Sequence, residues 1–160
     1  MTIKVGDKIP SATVYKMGAE GPEAVKTDEY CAGRKVVIFG LPGAFTPTCS
    51  AKHVPGYLQN ADAFKSKGID AIACVSVNDA FVMGAWAKDQ GTAGKIDMLG
   101  DGSAELTKAL GIELDLTARG LGVRSKRFSM VVDNGVVKHL ALQDGGELTI
   151  SSAEETLKSA

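Results

Sequence analysis

Residues 35–50 read Lys35-Val36-Val37-Ile38-Phe39, then Gly40-Leu41-Pro42-Gly43-Ala44-Phe45-Thr46-Pro47-Thr48-Cys49-Ser50. From Val36 the first part is continuously apolar, as expected of a strand buried on both faces. Glycine and proline then mark a loop. From Thr48 to about Lys67 the chain reads as a helix: Val54, Leu58, Ala61 and Phe64 recur at helical spacing, and Gly68 follows as a stop. Pro55 lies inside this stretch and predicts a kink there. A buried strand, a restricted loop and a helix in succession are the building unit of an α/β sheet.

The same alternation continues outward. Asp70–Val77 reads as a second buried strand. Asn78-Asp79 can cap a helix over Ala80–Gln90 that Gly91 ends. Ile96–Leu99 reads as a short strand, and Ser103–Leu110 as a short helix closed by Gly111. Arg127–Val132 and Val136–Leu142 flank Asp133-Asn134-Gly135, a strong hairpin signal. Ser151–Ser159 reads as a terminal helix, with serine ahead of Glu154 and Glu155. The expected order β-α-β-α-β-α-β-β-α is a central mixed sheet flanked by helices. That is the layout of a thioredoxin-like fold, although order alone also fits other α/β sheets.

Composition narrows the function. The chain has 160 residues, so one domain over 1–160 is expected. Its 18 basic and 19 acidic residues leave a formal charge of −1. Such a balance provides no basic field for nucleic acid or anionic lipid. No apolar run reaches the roughly 20 residues of a membrane span, and the N-terminus lacks the apolar core of a signal peptide. A cytoplasmic location is expected. Three cysteines (Cys31, Cys49 and Cys74) are an odd number, which points to thiol chemistry or burial rather than a disulfide framework.

The loop holds the chemistry. Cys49 falls in the first turn of a helix, where free backbone N–H groups and the positive helix end stabilise a thiolate. Pro42 and Pro47 restrict the loop, and Thr46 provides a hydroxyl that can donate to the sulfur or to a bound oxygen. A free cysteine can also be an inert small hydrophobe, and position alone leaves both readings open. Disulfide oxidoreductase chemistry needs Cys-x-x-Cys at this turn, but Thr46 occupies the first position.

Pro42-x-x-x-Thr46-x-x-Cys49 matches the Pro-x-x-x-Thr-x-x-Cys motif of peroxiredoxins. The run VVIFGLPGAFTPTCSAKHVPGY resembles the type II (atypical, peroxiredoxin-5-like) subgroup. KVGDKIP, CVSVNDAFVMGAW and RGLGVRSKRFSMVVDNG extend the resemblance over almost the whole chain. It implies a thiol-dependent peroxidase acting on hydrogen peroxide and alkyl hydroperoxides. Cys49 would be the peroxide-reactive thiol and pass through a sulfenic acid. Thr46, the Cys49 backbone N–H and Arg127 would donate to the transition state. From the residues alone, Arg127 reads first as a surface charge in a cluster with Arg119, Arg124 and Lys126. The resemblance also implies recycling by glutathione/glutaredoxin or thioredoxin, and a homodimer paired through the Pro42–Pro47 loop and Phe81-Val82-Met83. The alternative is a peroxide sensor that relays oxidation from Cys49 to a partner protein.

Four other features stand beside these. His53 lies four residues after Cys49 on the same helical face, where it can support the site or simply pack. Cys-x-x-x-His offers too few ligands for zinc. His139 reads as structural, and Gly91-Thr92-Ala93-Gly94-Lys95 lacks the spacing of a phosphate loop. No cofactor and no metal is expected. Cys74 lies mid-strand, where burial is the default, yet plant-like members of the subgroup use a cysteine there to resolve the sulfenic acid. Joining Cys49 to Cys74 would require unwinding the first helical turn, so Cys74 is expected to be buried, unbonded and auxiliary. Cys31 reads as lying in a turn.

Overall fold

The structure is a computed structural model and describes residues 2–143 and 148–160. Met1 and residues 144–147, within the span expected for the single domain, lie outside the described residues. Three parallel strands form the centre: β3 (Lys35–Gly40), β4 (Ala71–Ser76) and β5 (Asp97–Gly100). An antiparallel hairpin of β1 (Thr13–Gly18) and β2 (Gly21–Lys26) adds to β5, and another of β8 (Arg127–Asp133) and β9 (Val136–Gln143) adds to β3. The resulting order is β2-β1-β5-β4-β3-β8-β9. A separate hairpin, β6 (Glu113–Leu116) with β7 (Gly122–Ser125), stands beside this sheet.

The period-2 alternation of strands divides the core into two layers. Val36 and Ile38, Ala73 and Val75, and Phe128, Met130 and Val132 face one side. There they meet Cys31 of α1 (Thr27–Cys31) and Leu106 and Leu110 of α5 (Glu105–Leu110). Val37 and Phe39, Ile72 and Cys74, and Val131 face the other. That layer holds α2 (Val54–Gln59), α3 (Ala61–Ser66), α4 (Ala80–Gln90) and Ala153 of α6 (Ala153–Leu157). Arg127 and Ser129 alternate with Phe128 and Met130, so pleating delivers them to the second layer.

Several boundaries follow from local chemistry. The Asp79 side chain accepts from Val82 N at 2.8 Å, and left-handed Gly91 ends α4. Asn134 (φ +49°) and Gly135 (φ +82°) make the tight β8–β9 turn, whose twist needs left-handed residues. Gly40 pairs in register with Phe128, and a Cβ at Gly40 would overlap the Phe128 ring. This close approach pins the start of β8 beside the exit of β3.

The structure corrects four local expectations. The helix expected from Thr48 to Lys67 is divided into a π-helical turn over Cys49–His53, α2 and α3, with a break at Asn60. Pro55 has no N–H to bond the carbonyl four residues back, and the widened turn lies immediately before it. Cys31 ends α1 and is fully buried rather than lying in a turn. The β1–β2 hairpin and α1 were not expected: β2 is a largely exposed edge strand with Pro22, and it carries no apolar alternation. The β6–β7 hairpin was likewise not expected, because neither short strand buries an apolar side chain.

Candidate active site

The loop after β3 is held from several sides. Ala44 N donates to Asn78 Oδ1 at 2.9 Å, and Ser76 Oγ donates to the same oxygen. From β7, Arg124 Nη1 donates to the Pro42 carbonyl at 3.2 Å. A Cβ at Gly43 would lie 2.6 Å from Arg124 Nη1, so glycine permits that approach. Phe45 takes a left-handed backbone (φ +64°), a strained conformation for a bulky residue. The chain reverses there and enters the helical turn at residues 47–48. Ser50 N donates to the Thr46 carbonyl at 3.0 Å, and Trp86 Nε1 donates to Ser50 Oγ at 3.0 Å. The turn that carries Cys49 is thereby tied to α4.

Cys49, His53 and Arg127 meet inside this frame, and all three are buried. Arg127 Nη2 donates to Cys49 Sγ at 3.3 Å, while Nη1 lies 2.7 Å from His53 Nδ1. Arg127 is 2% exposed, which removes the surface-charge reading. Among the described residues its Nε has no hydrogen-bond partner, and no carboxylate forms an ion pair with it. A buried cation without a carboxylate is costly unless another anion faces it. A thiolate at Cys49 is such an anion.

Two further loop residues make contacts within the frame around Cys49. The Thr46 hydroxyl donates to the Gly43 carbonyl at 2.7 Å rather than to the sulfur. Its single hydrogen is thus spent on the loop, and its oxygen lone pairs are left to accept. Pro42 contributes its carbonyl, as the acceptor for Arg124.

His53 is enclosed by aromatic rings. Its ring centroid lies 4.9 Å from that of Phe39 and 5.6 Å from that of Tyr57. Burial, followed by the Arg127 charge, pushes its pKa down to about 3 against the opposing bond to the Ser151 carbonyl. An unfolded chain takes up this proton as pH falls through about 6.5; the folded chain does not until near 3. Stability from the neutral imidazole is therefore complete above the unfolded value and is lost as pH falls, by about 1.4 kcal/mol per unit between the two. Unfolding free energies in urea at pH 7, 5.5 and 4 should decline less steeply in His53→Asn than in the native protein. Parallel slopes would contradict this.

The other thiols stay in reserve. Cys74 lies mid-β4, in register between Phe39 and Met98, in the same core layer as Cys49. All three cysteines are free. Burial, then the neighbouring Cys49 charge, raises the Cys74 pKa well above that of an ordinary thiol. Burial likewise pushes the Cys31 thiol up to about 11. The expected apolar patch is only partly present: Phe45 and Phe81 are 52% and 66% exposed, but Met83 is fully buried against the sheet. His139 lies on β9, with a buried Nε2 that has no partner.

Sequence reading missed several supports: Asn78, Arg124, the Ser50–Trp86 bond, and a polar chain behind His53. In that chain Tyr57 Oη donates to the Ser151 carbonyl at 2.8 Å, and Gln143 Oε1 accepts from Ser151 N at 2.9 Å. The spacing His53-x-x-x-Tyr57 was the one available signal, since it places both rings on one helical face. Among the described residues no group of three acidic, histidine or cysteine side chains is placed to hold a metal. No helix among them is long and apolar enough to cross a membrane.

Comparison with known proteins agrees with this arrangement. The Redoxin family pattern matches residues 4–157. The chain is 55% identical over 162 residues to chloroplastic peroxiredoxin-2E-2 of Oryza sativa subsp. japonica, covering 98% of this chain and 72% of that protein. It is 48% identical over 157 residues to peroxiredoxin-2C of Arabidopsis thaliana, covering 98% and 97%. The crystal structure of reduced Prx3 from Vibrio vulnificus in complex with H2O2 superposes with a TM-score of 0.94 at 48% identity, covering 98% of both chains. The chain belongs to the Redoxin family, among the type II peroxiredoxins. Its fold is the thioredoxin-like α/β fold, and its class of chemistry is that of a thiol peroxidase.

Proposed function

We propose that the protein reduces hydrogen peroxide and alkyl hydroperoxides with Cys49 as the attacking thiolate. The observation that carries this reading is the buried guanidinium of Arg127, 3.3 Å from the Cys49 sulfur and without a carboxylate partner among the described residues. The thiolate attacks one peroxide oxygen as the O–O bond breaks. Cys49 becomes a sulfenic acid, and the departing oxygen takes a proton and leaves as water or an alcohol. Arg127 and the Cys49 backbone N–H stabilise the charge spread over sulfur and two oxygens. The Thr46 hydroxyl joins them by turning from the Gly43 carbonyl to the substrate. Hydrogen peroxide as substrate is in keeping with the H2O2 complex of the Vibrio neighbour.

An external thiol then attacks the sulfenic sulfur and releases water. A second thiol attacks the mixed disulfide, restoring Cys49 and leaving a disulfide on the donor. Glutathione with glutaredoxin, or thioredoxin, fits this step. The mid-strand burial of Cys74 and its raised pKa support an auxiliary role. Intact mass after one equivalent of peroxide should show one added oxygen, replaced by a glutathione adduct when glutathione is present. Cys74→Ala should keep its turnover with glutathione plus glutaredoxin. Loss of activity with that pair and with thioredoxin would make Cys74 an obligatory resolving thiol.

Exposed Phe45 and Phe81 at this end of the sheet favour a homodimer through the same face. Light scattering at tens of micromolar tests it, and a monomer mass would exclude the pairing. A cytoplasmic setting completes the proposal, since an odd number of cysteines, all free, suits a reducing compartment.

A further inference from the structure

We propose that Arg124 is a carboxylate-binding residue that seats glutathione, an anionic thiol donor, beside oxidised Cys49. This rests on the peroxidase reading above and names the chemistry its donor must carry. Arg124 Nε donates to the Leu121 carbonyl at 2.8 Å and Nη1 to the Pro42 carbonyl at 3.2 Å. Two backbone acceptors thus hold the guanidinium, and Nη2 has no partner among the described residues. A planar fork held in this way meets a carboxylate with little further loss of side-chain freedom. Its place is also set. A Cβ at Gly43 would meet Arg124 Nη1 at 2.6 Å and Thr46 Cγ2 at 3.3 Å, so the guanidinium stands next to Thr46 on the loop that leads to Cys49.

The hairpin does not neutralise this charge. Among the described residues no carboxylate forms an ion pair with Arg124. Arg124 lies opposite Leu114, while the acidic residues of β6, Glu113 and Asp115, lie opposite Ser125 and Val123. Alternation sends those two carboxylates to the other face, and Asp115 already accepts from Thr117 N and Oγ1. Hydrogen peroxide is uncharged, so its reduction makes no use of a second cation beside Thr46. Glutathione carries two carboxylates and one ammonium, which leaves it a net anion. Its thiolate forms an S–S bond to Cys49 as the S–O bond of the sulfenic acid breaks, and the hydroxyl takes a proton and leaves as water. A carboxylate on Arg124 orients the tripeptide for this attack.

The test compares glutathione with its diethyl ester, which lacks both carboxylates. Each reduces the Cys49 sulfenic acid formed by one equivalent of hydrogen peroxide, and the rate is read by rapid quench and intact mass. The glutathione-to-ester ratio cancels any general effect of a substitution on the loop. It should fall about 3–10-fold in Arg124→Gln relative to the native protein, between the scale of an exposed ion pair and that of a hydrogen bond to a buried charge. An unchanged ratio would overturn the proposal. A fatty-acid hydroperoxide also carries a carboxylate, so Cys49 oxidation by such a hydroperoxide and by its methyl ester forms a second arm. A shift confined to that arm would assign Arg124 to the peroxide and overturn the proposal. Should Arg124→Gln fail to fold, the native protein decides: added sodium chloride should slow reduction by glutathione and not by its ester. Equal salt dependence would overturn the proposal. The peroxidase reading fails separately, if hydrogen peroxide leaves Cys49 of the native protein unoxidised.

Discussion

Cys49→Ser consumes no peroxide above the uncatalysed background, while Cys31→Ala consumes it at close to the native rate. A serine hydroxyl fits the Cys49 position and still accepts from Arg127 Nη2, so the fold and the guanidinium should persist. What is lost is the nucleophile. Sulfur reacts as a thiolate, and a hydroxyl in the same place stays protonated and has no oxidation ladder. The two other thiols cannot substitute. Cys31 lies in the opposite core layer from Cys49, and burial pushes its pKa up to about 11. Cys74 shares the layer but lies mid-strand in β4, with burial favouring its thiol form. The check is peroxide consumption with a thiol donor, alongside far-UV circular dichroism of each variant. Sustained turnover by folded Cys49→Ser would refute the assignment of Cys49.

Much of the frame of this site was legible before any coordinates. The apolar run Val36–Phe39 is a strand buried on both faces, and such runs carry a strong signal. Asp133-Asn134-Gly135 specified the β8–β9 turn, because few residues tolerate two consecutive left-handed positions. Asp79 and Gly91 bounded α4 at the expected residues. The failures have physical causes. A proline in a helix announces a disturbance but not its form, and here the chain widens into a π turn. The β1–β2 hairpin lies at a sheet edge, where side chains need not alternate. Arg127 illustrates the limit best. Alternation along β8 sorts its residues onto two faces, but the face that meets Cys49 is decided by register with β3. The partner His53 is 74 residues away, and Ser151 is 98 residues from His53. Local patterns hold no information about such contacts. Motif resemblance supplied Arg127 and left His53 undecided.

Arg127→Met should cost the reaction far more than it costs the fold. The side chain is buried, carries a charge with no carboxylate among the described residues to pair it, and leaves Nε without a hydrogen bond. Removing such a group relieves a desolvation penalty, and methionine fills a similar volume. The loss on the other side of the balance is one accepted bond at His53 Nδ1, worth about 1–3 kcal/mol for a buried acceptor left unpaired. These contributions oppose each other, so the unfolding free energy should shift by no more than about 1 kcal/mol. No such compensation acts on the reaction. The donor that faces sulfur and peroxide is gone, and a transition-state donor of this kind is worth about 10²–10³ in rate. Arg127→Lys should fall between: it keeps the charge but offers one compact ammonium instead of a planar fork spanning Cys49 and His53. Stopped-flow oxidation by hydrogen peroxide and urea unfolding of the same samples separate the two effects. A large fall in stability with a matching fall in rate would mean that Arg127 chiefly holds the fold together. A slow but stable Arg127→Met would mean that the buried charge is retained for the reaction it faces.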